Sequence, residues 1–257
     1  MNILINDFVL VFLMLLRISS LFLSAPIFGH RAIPAIIKIF LALVIAYTIF
    51  LTMQGNSIPF ELSMSNLFVL AINEVLIGLI LGFSLNIVFW AVAFAGSLIG
   101  ITMGLSMAEV FNPATGTSNN VIGEILFLIS TMVFFIINGH HYVITSLYYS
   151  FQILPVGFIN LSGALFEMII KFGSTVILLA VKIASPFIVI YFLLYVAEGI
   201  VARVIPQMQV FFVTQPIHIG FGFFLLIATT PVFVLVVKNL LRDFQAQLLN
   251  IIKAMSA

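Results

Sequence analysis

Cysteine is absent from this chain, which removes disulfide frameworks, cysteine-type zinc sites and thiol nucleophiles together. Charge is scarce as well. Asp, Glu, Lys and Arg make up 7% of the residues, against about 25% in a soluble domain. So little charge cannot coat a globule of 257 residues, and a single water-soluble domain is excluded. Nine basic residues nearly balance eight acidic ones, leaving a net charge of +1. Without a basic field there is no footing for nucleic acid. What the chain has in excess is apolar surface: 63% hydrophobic residues, 28 of them Phe, and a mean hydropathy of +1.33. That excludes disorder, which requires few apolar and aromatic residues. The class that remains is all-α, an integral membrane protein built from helices.

A membrane span needs roughly 20 apolar residues. Ile3–Ala25 qualifies, with Arg17 inside it. Residues 1–7 hold no Lys or Arg and end on Asp7, and Pro26 follows the run. This is unlike a cleaved signal, so the run is expected to be a retained helix. Ala35–Met53 is the second run, after a connection Pro26–Pro34 with two prolines and a glycine. The third, Leu67–Gly104, would reach roughly 57 Å as one helix, so it is either two helices or one that leaves the bilayer. Val121–Ile137 is the fourth, closed by Asn138-Gly139, and a half-apolar stretch His140–Leu154 ends at Pro155. Phe172–Ala197 carries Pro186 in its middle, and Val210–Val237 follows a turn containing Pro206 and Pro216. In the tail Lys238–Ala257, Leu240, Leu241, Phe244, Leu248, Ile251 and Ile252 recur at the spacing of an amphipathic helix. Six spans would put Arg31, Lys38 and Arg203 on one side and Lys171, Lys238, Arg242 and Lys253 on the other. Basic residues mark cytoplasmic loops, and this near tie leaves the topology open.

Four sets of residues carry possible function. Gly78 and Gly82 are four apart, as are Gly96, Gly100 and Gly104, so each set forms a smooth stripe on a helix that lets another backbone approach. The partner is either a helix of the same chain or a neighbouring subunit. On the second reading, leucine at Gly100 abolishes assembly or export while alanine is tolerated. Arg17, Glu74, Lys182 and Glu198 lie within or beside apolar runs, and each must be paired or wetted. Lys182 needs an acidic partner, for which Glu74 is the deepest candidate. These ions read either as structural pairs or as an ion path, the latter being the mark of a secondary transporter. That alternative is weakened by the lack of an internal repeat.

The polar stretch Ser106–Asn120 reads SMAEVFNPATGTSNN. Pro113 and Gly116 make it a loop, and a polar loop between apolar runs lies in water, in protein or in a cavity. It is an exterior loop or a compact insert in a pore; its small side chains and single charge, Glu109, suit the insert. Met103 and Met107 precede it at i, i+4 and are pliable enough to seal a pore, or simply fill core. Catalysis has little support. Adjacent His140 and His141 point about 100° apart on a helix and cannot share a metal. Ser106 after Gly104-Leu105 lacks the following glycine and any placeable oxyanion donor for a nucleophile served by His140, His141 or His218. No enzyme, no metal and no cofactor is expected.

The order of these features resembles the FliR family of flagellar type III export gate subunits and its injectisome counterpart, SctT. The resemblance runs through Arg17, Ala25-Pro26, Phe28-Gly29, Pro34 and Lys38. It continues through Glu74, Gly78, Gly82, Gly96, Gly100 and Gly104, then Asn112-Pro113, where the family has Asp-Pro. Asn138-Gly139-His140-His141, Ser150-Phe151 and Leu154-Pro155-Val156-Gly157 follow. Ala184, Pro186, Arg203, Pro206-Gln207-Met208, Val210-Phe211 and Pro216 complete it. Asn112 departs from Asp, Gln209 stands where Asn is usual, and Ser97 and Thr102 replace glutamines.

The resemblance implies a subunit, not an enzyme, that joins FliP and FliQ in a hetero-oligomer at the entry of the export channel. FlhB and FlhA are the further partners it implies, with membrane lipid around the assembly and unfolded exported proteins as cargo. The place implied is the flagellar basal body in the bacterial inner membrane. Residues 1–171 correspond to a FliP-like part and 172–257 to a FliQ-like hairpin with its tail. Ser106, Glu109, Phe111, Asn112, Pro113, Thr115, Gly116, Asn119 and Asn120 are the implied pore plug, with Met103 and Met107 at the seal. Arg203, Pro206, Gln207 and Gln209 are the implied hairpin tip, facing FlhB.

Overall fold

The computed structural model describes residues 2–30, 33–53, 64–105, 120–160, 163–207 and 209–256. Among them there is no β-strand. Seven helices follow in order: α1 (Asn2–Ser24), α2 (Ala35–Thr52), α3 (Met64–Thr102), α4 (Val121–Ile136), α5 (Gly139–Ile153), α6 (Gly163–Val204) and α7 (Val210–Ser256). Five of these, α1, α2, α3, α6 and α7, are long and apolar enough to cross a membrane. The protein is an all-α integral membrane protein.

The long third run is one continuous helix of 39 residues, not two. The fifth run begins earlier than its apolar stretch, at Gly163, because the charged residues Glu167 and Lys171 sit on the helix without breaking it. Pro216 lies inside α7, not in the turn before it, and the amphipathic tail is the continuation of α7, which runs 47 residues. Between α4 and α5 the chain bends by 68°. Asn138 makes the break by adopting φ 58°, a left-handed conformation that Asn tolerates better than most residues.

The helices sort into two compact units. The first gathers residues 1–87, 138–172 and 241–257. Its core is built on α1, with Leu13, Met14, Ile18 and Phe22 buried, together with Ile77 and Leu81 of α3 and Leu147 and Phe151 of α5. The tail of α7 joins through Leu241, Phe244, Leu248, Ile251, Ile252 and Met255, all buried. That is the face its amphipathic spacing predicts. The second unit gathers residues 88–137 and 173–240. Phe89 meets Phe127 and Phe134 edge-on at 5.6 and 6.0 Å, a favoured aromatic geometry. Ala91, Val92, Ala95, Ala180 and Ala184 are fully buried, so helices approach closely here.

The glycine stripes are used within the chain. A side chain at Gly78 would run into Ser20 and the Arg17 carbonyl, and one at Gly82 into Ser24, so this pair lets α3 lie against α1. At Gly96 the obstacle is backbone: Gly123 of α4, with its N 2.6 Å from where a Cβ would stand. Gly100 faces the side chain of Asn120. Alanine is therefore expected to be less tolerated at Gly96 than at Gly100. Backbone cannot rotate out of the way as a side chain can, so Gly96→Ala is expected to push α3 and α4 apart. The variant should lose at least as much thermal stability as Gly100→Ala, where the Asn120 side chain can yield; a melting series in detergent checks the order. Gly104 is not a third member of the stripe, because α3 has already ended at Thr102.

Candidate functional site

Each unit holds one polar construction, fully buried in the first and part-exposed in the second. In the first unit, Arg17 is fully buried on α1 and meets Glu74, fully buried on α3. The fork is bidentate: Nε donates to Oε2 at 2.6 Å and Nη2 to Oε1 at 2.8 Å. The remaining guanidinium donors are also placed. Nη1 donates to Ser150 Oγ at 3.2 Å, and both Nη atoms donate to the Leu154 carbonyl at 3.4 Å. The Phe151 ring lies 4.2 Å from the guanidinium carbon, a cation–π contact. Glu74 Oε1 also accepts the backbone N–H of Gly157 at 2.6 Å, and Asn73 donates to the Gly157 carbonyl at 2.8 Å. Gly157 turns with φ +88°, which only glycine adopts without strain. One ion pair thus fastens α1, α3, α5 and the turn after α5. Glu74 is satisfied by Arg17, so it is not the partner of Lys182.

The second construction surrounds the root of the polar segment. The last helical carbonyls of α3 need donors that the helix itself cannot supply. Leu105 N–H donates to the Gly100 carbonyl and Gly104 N–H to the Ile101 carbonyl, both at 3.0 Å. With Gly104 at φ +78°, this is the Schellman arrangement that ends a helix at a left-handed glycine. Two carbonyls remain, and α6 and α7 provide for them. Tyr195 Oη donates to the Thr102 carbonyl at 2.7 Å, and Gln215 Nε2 to the Met103 carbonyl at 3.3 Å.

On the return side, Asn120 caps α4. Its Oδ1 accepts the N–H groups of Ile122 at 3.0 Å and Gly123 at 3.3 Å, while its Nδ2 donates to the Ser97 carbonyl of α3 at 3.2 Å. Both ends of the polar segment are therefore tied to α3. Met103 is fully buried in this unit and lies under Gly222, where Tyr191 also packs. Tyr191 Oη donates to the His218 carbonyl at 2.5 Å. His218 Nε2 is 3.1 Å from a Glu198 carboxylate oxygen. That oxygen has no hydrogen-bond partner among the described residues, and the contact is an ion pair when the imidazole carries its proton.

Ser106, Met107, Glu109, Phe111, Asn112, Pro113, Thr115, Gly116 and Asn119 lie outside the described residues, as does Met208. Arg203, Pro206, Gln207 and Gln209 are exposed around the connection from α6 to α7. Lys182 is exposed on α6, away from any carboxylate among the described residues. Sequence reasoning missed Tyr191, Tyr195 and Gln215, and had Gly157 only as part of the resemblance. A signal for the first two existed: Tyr191, Tyr195 and Glu198 recur at i, i+4 and i+7 on one face of α6. Gln215 and His218 are similarly i, i+3 on α7.

The root is testable by itself. Tyr195→Phe and Gln215→Leu each remove one hydrogen bond from a carbonyl at the end of α3, worth about 0.5–1.5 kcal/mol. The double variant should open this turn more often while the fold persists. Maleimide labelling of a cysteine placed at Leu105 reads it out, and the double variant should label several-fold faster than the unaltered background.

A helical membrane protein with a buried ion pair and a tethered polar segment matches one family along most of its length. The model of bacterial export proteins, family 1, matches residues 8–244. Named relatives agree. The flagellar biosynthetic protein FliR of Bacillus subtilis (strain 168) is 35% identical over 243 residues, covering 93% of each chain. That of Escherichia coli (strain K12) is 34% identical over 222 residues, 86% of this chain and 84% of the relative. That of Aquifex aeolicus (strain VF5) is 30% identical over 228 residues, 89% and 88% respectively. The chain belongs to the FliR family of bacterial export proteins. It is a membrane component of a flagellar protein-export apparatus.

Proposed function

We propose that the chain is a subunit of the type III export gate in the bacterial inner membrane, at the flagellar basal body. It joins FliP- and FliQ-type subunits in a hetero-oligomeric entry pore for unfolded proteins, next to FlhB and FlhA, and its segment 106–120 serves as the plug of that pore. Its role is structural and involves no catalytic step. The observation that supports the plug most is the double tether of that segment. One end is held at Gly104 by the helix stop and by Tyr195 and Gln215, the other by Asn120 on Ser97. A segment fastened at both ends is not carried off by passing cargo.

The FliP-like and FliQ-like parts, divided near Lys171 and Phe172, belong to the same reading. The α6–α7 connection then points to FlhB at the cytoplasmic entrance. Cysteine at Gln207 should crosslink to a cysteine-bearing FlhB in intact cells, and the chain should purify within a complex far larger than one subunit. A residue 207 reached only by a periplasmic reagent would contradict the placement. A chain that purifies alone would contradict the assembly.

A further inference from the structure

We propose that Glu198 and His218 form a proton-dependent latch on the root of segment 106–120, tight when the imidazole is charged and slack when it is neutral. The latch itself stands on the geometry of the root. Its effect on a pore rests on the reading of that segment as a plug.

The two residues sit about one helical turn from the groups that hold the end of α3. On α6, Tyr195 donates to the Thr102 carbonyl, and Glu198 is three residues further on. On α7, Gln215 donates to the Met103 carbonyl, and His218 is three residues further on. Residues three apart are neighbours on one helix face. The Glu198–His218 contact at 3.1 Å therefore joins α6 to α7 beside both hydrogen bonds. The Tyr195 ring lies 5.2 Å from the imidazole, so this side chain touches the latch with its ring and the root with its hydroxyl.

Charge is what holds the contact. The Glu198 oxygen has no hydrogen-bond partner among the described residues, and His218 is buried. Only an imidazolium offsets the carboxylate there, and imidazole is the side chain whose charge changes between about pH 5 and 8. The other link between the helices at this point does not depend on that proton: Tyr191 Oη donates to the His218 backbone carbonyl. Loss of the proton thus slackens α6 against α7 without releasing it.

The groups facing the imidazole are Glu198, Tyr191 and Tyr195, all on α6, and phenols stay neutral over that pH range. Residues 88–102 of α3 and 210–237 of α7 hold no other ionisable side chain. Lys182 and Arg203 of α6 and Glu124 of α4 are exposed. The proton on His218 is therefore the one whose loss changes the charge of the contact as pH rises through this range.

The test uses the whole complex in membranes from cells that make it. A cysteine at Leu105 reports opening of the root by its rate of maleimide labelling. Each rate is divided by that of the His218→Gln variant at the same pH, which cancels the pH dependence of the thiol. Where that variant does not assemble, the urea-unfolded chain serves as the reference. At about pH 5.5 the unaltered background should label about three- to five-fold more slowly than His218→Gln, the scale of a part-exposed ion pair. At about pH 8 the two should label alike. Glu198→Gln should label like His218→Gln throughout. A ratio that stays level with pH, or a Glu198→Gln variant that keeps the unaltered profile, would overturn the latch. Ion conductance of the purified complex over the same range separates the two readings. Labelling that rises with pH at constant conductance supports the latch and overturns the plug, whereas level labelling overturns the latch whatever the conductance.

Discussion

Replacing Arg17 with methionine should destabilise the protein by about 3–5 kcal/mol, the usual consequence of stripping one partner from a buried ion pair. The reason is the ion left behind. Glu74 is fully buried, and without the guanidinium only the Gly157 N–H among its present partners remains to hold its charge. Glu74 is then a buried charge without its counter-ion, and α1, α3 and α5 lose their common fastening. Glu74→Gln should cost less than Arg17→Met, because its amide oxygen still accepts from Gly157. The double variant Arg17→Met/Glu74→Gln should recover a good part of the loss, since no buried charge is stranded. Thermal melts followed by size-exclusion in detergent would rank the three. Equal damage in the single and double variants would mean that packing, not charge, makes Arg17 indispensable.

Deleting residues 108–117 should leave the assembled complex intact and raise its permeability to ions and small molecules. A pore wide enough for an unfolded polypeptide leaks at rest unless something fills it. The deleted stretch carries one charge, Glu109, so entering a narrow lumen costs it little desolvation. The tethers sit outside the deletion: Gly104, Tyr195 and Gln215 on one side, Asn120 on the other. Assembly is therefore expected to persist while closure fails. Planar-bilayer conductance of the purified complex, or growth on toxic small solutes, measures the leak. Unchanged conductance with the complex intact would make the segment an exterior loop.

Much of the second unit's polar root was not legible in the sequence. Tyr195 and Gln215 matter because they reach carbonyls 93 and 112 residues earlier in the chain, and no local pattern announces such a reach. Met103 could be read as seal or core from its chemistry, and its complete burial under Gly222 is the core environment. The glycines show the same divide. Their spacing announced smooth surfaces at Gly78, Gly82, Gly96 and Gly100, but not that α1 and α4 of the same chain would fill them. Gly104 shares that spacing and serves as a helix stop instead, because its φ of +78° takes it off the helix.

Composition and apolar run length by themselves determined that this is a helical membrane protein, since water cannot dissolve such a surface and lipid admits helices. They also determined that Arg17, Glu74, Lys182 and Glu198 each needed a partner, because an isolated ion is costly wherever water is excluded. Which partner Arg17, Glu74 and Glu198 have was decided by the tertiary structure alone. Arg17 and Glu74 are 57 residues apart, and Glu198 meets His218 across two helices. Pairing of this kind depends on the distance and facing of packed helices, and helical periodicity specifies only that a face must be covered, not by what.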